Sequence, residues 1–139
     1  MDVQVNWLAV LLAAISSMAV GSVWYAKSVF GARWMKLVNL DEKKAAEWAV
    51  PALIGAFVAS LVTAYVLAHV TYLSNSFFGN AYMTDALTTA FWLWLGFTAA
   101  RFFVHDSFER RPLKLTMMNI GNELVTMLVM AMIIGWLKP

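Results

Sequence analysis

From Leu115 to Leu137 runs a long apolar stretch that holds one ionisable side chain, Glu123. A run of that length crosses the hydrocarbon of a bilayer as one helix, and a carboxyl inside it is costly unless it faces protein or water. At helical spacing Thr116, Asn119, Glu123 and Thr126 fall on one face, with Asn122 beside it. Any fold open to this chain must screen that face from lipid with other helices.

Three further apolar runs, at residues 5–25, 50–70 and 84–104, can supply the screen. Hydrophobic residues make up 62% of the 139 and charged ones 13%. A water-soluble protein of this size cannot hide so much apolar surface, so the bilayer is the expected solvent. The length suits one domain, residues 1–139. The predicted fold is all-α: an integral membrane bundle of four transmembrane helices, with an interfacial amphipathic segment between helices 1 and 2. Asp2 is the only charged side chain ahead of the first run, where a cleaved signal peptide carries Lys or Arg. The first run is therefore read as a permanent span. With no cysteine there is no disulfide, thiolate metal site or cysteine nucleophile.

Small residues predict how two of the helices meet. Ala9, Ala13, Ser17 and Gly21 recur every fourth residue in the first run, as do Ala52, Ala56, Ser60, Ala64 and Ala68 in the second. Such ridges let helix backbones approach closely, so helices 1 and 2 are expected to pair through them. Val10 falls off the ridge and is expected to tolerate added bulk.

The connections carry the charge. Residues 27–48 mix basic and aromatic side chains, as interfacial segments do. Asn39 and Glu42 have the spacing of a capping box that would start a helix near Leu40, with Pro51 kinking it farther on. Residues 71–83 read as an uncharged turn with Phe77 and Phe78 dipping into the interface, and residues 105–114 as a polar connection. Of the ten Lys and Arg residues, only Lys138 lies outside the first and third connections and their flanks. That asymmetry places both basic connections in the cytoplasm and both termini outside.

Asn6-Trp7, Gly21-x-x-Trp24-Tyr25 and Phe30-Gly31-x-x-Trp34-Met35 are joined in the second half by Phe108-Glu109-x-Arg111-x-x-Lys114-Leu115 and Asn119-x-Gly121. Together they resemble a small bacterial membrane family, domain of unknown function 1761. The resemblance covers nearly the whole chain. It implies four helices and a bacterial envelope location, here the cytoplasmic (inner) membrane, and it implies no activity. Asn122 and Glu123 lie outside the pattern.

Glu123 sits about 13 Å into its span, at 1.5 Å per residue. Ser16, Ser17, Ser60, Trp92 and Trp94 are expected near that level, forming a polar layer with Asn119, Asn122, Glu123 and Thr126. Two functions fit such a layer. In one, a small transport or channel-like protein uses Glu123 as a protonatable group on a solute or ion path. In the other, a structural or accessory protein uses it as a neutral hydrogen-bonding group that holds helices or partners together. A water-accessible Glu123 in a cavity favours the first, and a dry, hydrogen-bonded one the second. Trp24, Tyr25, Phe30, Gly31 and Trp34 read as an interfacial anchor in which Gly31 provides a turn. His105 and Glu109 are four apart, but no matching set completes a metal site. His69 reads as a structural interfacial histidine. No enzyme or cofactor motif occurs, and the basic residues lack the pattern of a nucleic-acid surface. The expected partners are the bilayer, further copies of the chain, and a small solute or ion.

Overall fold

The computed structural model describes residues 2–139, the side chain of Glu42 excepted. Apart from its ends and short connections the described chain is helical, without strands: α1 (Trp7–Trp24), α2 (Ala32–Leu37), α3 (Glu42–Phe78), α4 (Tyr82–Leu93), α5 (Ala100–Phe108) and α6 (Leu113–Leu137). A π turn, Lys27–Gly31, leads into α2, and a π segment, Trp94–Ala99, joins α4 to α5 without a break. There are thus five helical bodies, four of them long and apolar enough to cross a membrane.

The four long bodies form a ring. α1 packs on α3 and α6, and α4 packs on the same two. Neighbours run antiparallel, because the α1 N-cap Asn6 meets Leu137 at the end of α6, and Gly135 lies against Met83 at the start of α4. Asn6 closes two helix ends at once. Its Oδ1 accepts from the amides of Leu8 and Ala9 at 3.0 and 3.1 Å, and its Nδ2 donates to the Leu137 carbonyl at 2.7 Å. Helix ends leave such backbone groups without partners, so one asparagine here stabilises both.

The core fills the half of the ring nearest the termini. Ala9, Ala13 and Ala14 of α1, Ala64, Leu67 and Ala68 of α3, Ala86 and Ala90 of α4, and Met130, Ala131 and Ile134 of α6 are buried together. So many alanines bring the backbones close, and dispersion contacts replace the bulk that leucine would supply. Val10 belongs to this core at 4% exposure. The expectation that it tolerates bulk was wrong, because α1 is flanked on two sides, by α3 and α6, and a residue off one ridge faces the other neighbour.

Several boundaries differ from the hydropathy reading. α3 reaches from Glu42 to Phe78, well beyond residues 50–70, and absorbs most of the turn expected at 71–83. Its cap is Asp41, whose carboxylate accepts from the Lys44 amide at 2.8 Å. Asn39 instead ends α2 in the left-handed region (φ 52), with the Leu40 amide bonded to the Met35 carbonyl. The Glu42 side chain of the expected capping box lies outside the described residues. Helix continues on both sides of Pro51, which leaves the Glu47 carbonyl without its usual helical partner. The connection expected at 105–114 shrinks to residues 109–112, closed by Arg110 at φ 57 and the Arg111 amide bonded to the Asp106 carbonyl. The first and last apolar helices become Trp7–Trp24 and Leu113–Leu137, and the third runs over Tyr82–Phe108.

Candidate functional site

The ridges of α1 and α3 close like a zipper from the core end. Ala9, Ala13, Ala64 and Ala68 are buried, and next along the ridge the Ser17 and Ser60 hydroxyls are hydrogen-bonded at 2.7 Å. Past this pair the helices part. Ala52 and Ala56 are exposed, and a Cβ built on Gly21 would meet nothing within 4 Å.

α6 faces the opening with Asn122, Glu123 and Thr126. The result is a cavity of about 490 Å³ whose polar lining also includes Ser17, Ser60, Thr63 and Tyr25. Glu123 is half-buried and has no hydrogen bond or ion pair among the described residues. The same side chain lines a second cavity, of about 440 Å³, shared with Thr98, Arg101, His105, Asp106 and Glu109 of the α4–α5 body. This second space exists because α3 packs on α4 but makes no comparable contact with the π segment or α5. Glu123 therefore stands between a hydroxyl-lined chamber and a charged vestibule.

The remaining polar residues of α6 are tied to neighbours. The Asn119 carbonyl oxygen accepts from the Tyr25 hydroxyl at 3.1 Å, and the Thr116 hydroxyl donates to Asp106 at 2.7 Å in a buried contact. Arg111, itself paired with Glu109, lies 3.8 Å from the same Asp106. The Asn122 carbonyl oxygen is buried without a partner at the chamber wall. A stripe that looks continuous in sequence thus divides among α1, α5 and the chamber. Backbone polarity adds to it, since the Trp94 indole donates to the Ile120 carbonyl at 3.0 Å.

Two expected members of the layer lie elsewhere. Ser16 donates to the Ala13 carbonyl and faces the outer side of α1 and α6, while Trp92 is 62% exposed. Both errors come from matching depth without rotation about the helix axis. Arg101 shares the vestibule with Glu123 without pairing to it. His69 lies 5.9 Å from the Tyr65 ring, and its Nδ1 is buried without a partner.

The aromatic motif turns back on the bundle. Trp24 packs on Phe30 (4.7 Å between centroids) and Tyr25 on Trp34 (5.4 Å). Gly31 is in the ordinary helical region (φ −59), so backbone freedom is not its role. A Cβ there would lie 2.1 Å from the Tyr25 carbonyl oxygen, so only glycine lets the π turn close. Gly121 accepts the Trp24 ring in a similar way, with an added Cβ only 3.3 Å from it.

One polar cluster had no sequence signal beyond Asp85 itself. Asp85 is 3% exposed, and its two carboxylate oxygens accept from Asn75 at 2.8 Å and Asn80 at 2.9 Å. Asn75 also donates to the Asn80 carbonyl, closing the α3–α4 turn at the core end. Among the described residues no group of three or more His, Cys, Asp or Glu side chains could hold a metal.

Residues 8–135 match a family described as Protein of unknown function (DUF1761). Neither a curated protein nor a solved structure matches the chain.

Proposed function

The chain belongs to the DUF1761 family, and from that premise we propose that it is an integral membrane protein that passes a proton or small solute by way of Glu123. The observation that carries this reading is the position of Glu123 between two cavities, with no partner of its own. A carboxyl serving only to hold helices together would be hydrogen-bonded across an interface. Here Ser17 with Ser60, Tyr25 with Asn119 and Thr116 with Asp106 already tie the helices together. Glu123 is left free to exchange partners, as a group on a conduction path must.

Membrane integration draws support from the outer surface. Phe97 is 76% exposed, and Trp7, Phe77, Phe78 and Trp136 (82%) stand exposed near those ends of α1, α3 and α6 that hold the termini and the α3–α4 turn. Such aromatic belts suit a headgroup boundary. The bias of basic residues then puts the α2 and α5–α6 connections in the cytoplasm and both termini outside, in the cytoplasmic membrane of a bacterium. The chamber is open beside Leu53, Ala56 and Ala59, all exposed, so a second copy would complete its wall. We therefore place the working unit as a homo-oligomer.

Purified protein in liposomes provides the test. A proton or monovalent-ion flux should appear with the wild type and vanish in Glu123→Gln, whose side chain keeps its shape but cannot ionise, while fold and oligomer stay intact. A flux that keeps its pH dependence in Glu123→Gln would rule out Glu123 as the titrating group. Wild-type liposomes that pass neither protons nor common monovalent ions would overturn the transport reading.

A further inference from the structure

We propose that the groove between the aromatic motif and the start of α6 binds one anionic phospholipid. This inference rests on the membrane reading but not on transport. The groove has a volume of about 830 Å³, within the range of small-molecule sites. Its walls are Trp24, Phe30, Met117 and Gly121, and Arg33 and Lys114 stand at it as cations. Both are exposed, and neither has a carboxylate partner among the described residues, although Asp106, Glu109 and Arg111 pair off nearby in sequence.

Two unpaired cations beside an apolar trough match the chemistry of a negative headgroup joined to acyl chain. A soluble anion would use the cations and leave the trough empty. A zwitterionic lipid would fill the trough and bring a cation of its own against Arg33 and Lys114. The trough is also built for contact, not only left over. Gly121 has no side chain where the Trp24 ring crosses α6, and the buried Trp24 indole N–H has no acceptor. Placing the site between the first connection and the third also gives the lipid a structural consequence. It would bridge the end of α1 and α2 to α6, one turn from Asn119 and its Tyr25 partner.

Binding can be read by native mass spectrometry of the detergent-purified protein. Three probes are compared: short-chain phosphatidylglycerol, phosphatidylcholine of the same chains, and glycerol phosphate. The phosphatidylglycerol adduct should dominate. The exposed pair Arg33→Gln with Lys114→Gln should weaken it about tenfold or more, in line with the attraction of two basic residues for an anionic lipid. Lys138→Gln, at the opposite end, should leave it unchanged. Equal retention of phosphatidylcholine, or an adduct indifferent to the paired substitution, would overturn the proposal. Glycerol phosphate binding as well as the lipid would overturn it in favour of a soluble-anion site. Release of the protein from membranes by alkaline carbonate without detergent would instead defeat the membrane reading, whatever the adducts show. The adduct results alone leave the flux assay unaffected.

Discussion

The Tyr25 hydroxyl donates to the Asn119 side chain at 3.1 Å, fastening the end of α1 to α6 one helical turn from Glu123. Its neighbour Trp24 lies across Gly121, so consecutive aromatics grip α6 at two points. The gap between α1 and α3 is therefore bounded by fixed helices, which gives Glu123 a chamber of defined shape.

That bond sets the first prediction. Tyr25→Phe and Asn119→Ala should each lower stability by about 0.5–1.5 kcal/mol, the scale of interhelical hydrogen bonds in membranes. Because both remove one interaction, the double variant should cost less than the sum of the singles. Strict additivity in reversible unfolding from detergent would show that the pair does not interact.

Glycine positions divide sharply. Gly31→Ala drives a methyl into the Tyr25 carbonyl and should cost about 2 kcal/mol or more, because backbone must move. Gly55→Ala has open space around it and should stabilise α3 by roughly 0.5–1 kcal/mol through helix propensity. Thermal unfolding of the two variants side by side decides, and a tolerated Gly31→Ala would contradict the close approach.

At the small-residue ridge, Ser17→Leu and Ser60→Leu should each destabilise by about 1–3 kcal/mol through overpacking at their contact. Ile15→Leu, on the exposed side of α1, should be neutral. Val10→Leu now belongs with the damaging set. Detergent stability assays that rank all four alike would remove the close packing of α1 on α3.

Asp85 should matter more than either asparagine that holds it. Asp85→Ala removes both hydrogen bonds of the α3–α4 turn at once, and should cost about 1–2 kcal/mol in total, because Asn75 keeps the Asn80 carbonyl and the exposed Asn80 amide turns to water. Asn80→Ala removes one donor and should cost less. Equal losses in equilibrium unfolding would mean that the carboxylate does not join the two amides.

Orientation can be checked by reporter fusions. Gly31 and Ser107 should report inside and Asn80 outside, as the bias in Lys and Arg requires. A cytoplasmic signal at Asn80 would reverse the assignment.

What the sequence made legible was mostly the periodic pattern carried by one helix alone. Four apolar runs, the fourfold ridges and the face bearing Asn119, Glu123 and Thr126 follow from the helical period. The Ser17–Ser60 contact was also readable, because two ridges of small residues have few other ways to meet. Hydropathy, however, measures what suits lipid, not what is helical. Thr71 to Phe78 are less apolar yet hold no breaker before Gly79, so α3 runs on through them. Contacts set by rotation and register between helices were hidden. Asp106 with Thr116, Asp85 with its two amides, and the opposite fates of Trp92 and Trp94 all depend on how the α4–α5 body turns against α6.

That turning depends on the π segment at Trp94–Ala99. A π turn holds one more residue than an α turn over nearly the same rotation, the mark left by a single inserted residue. Removing one residue there should let plain α-helix form with Trp94 and Asp106 still directed at α6. The same deletion within α5 would swing Asp106 by about 100° away from Thr116. The helix thus carries a built-in tolerance for a change of length, in a stretch whose Phe97 and Thr98 line the vestibule beside Glu123.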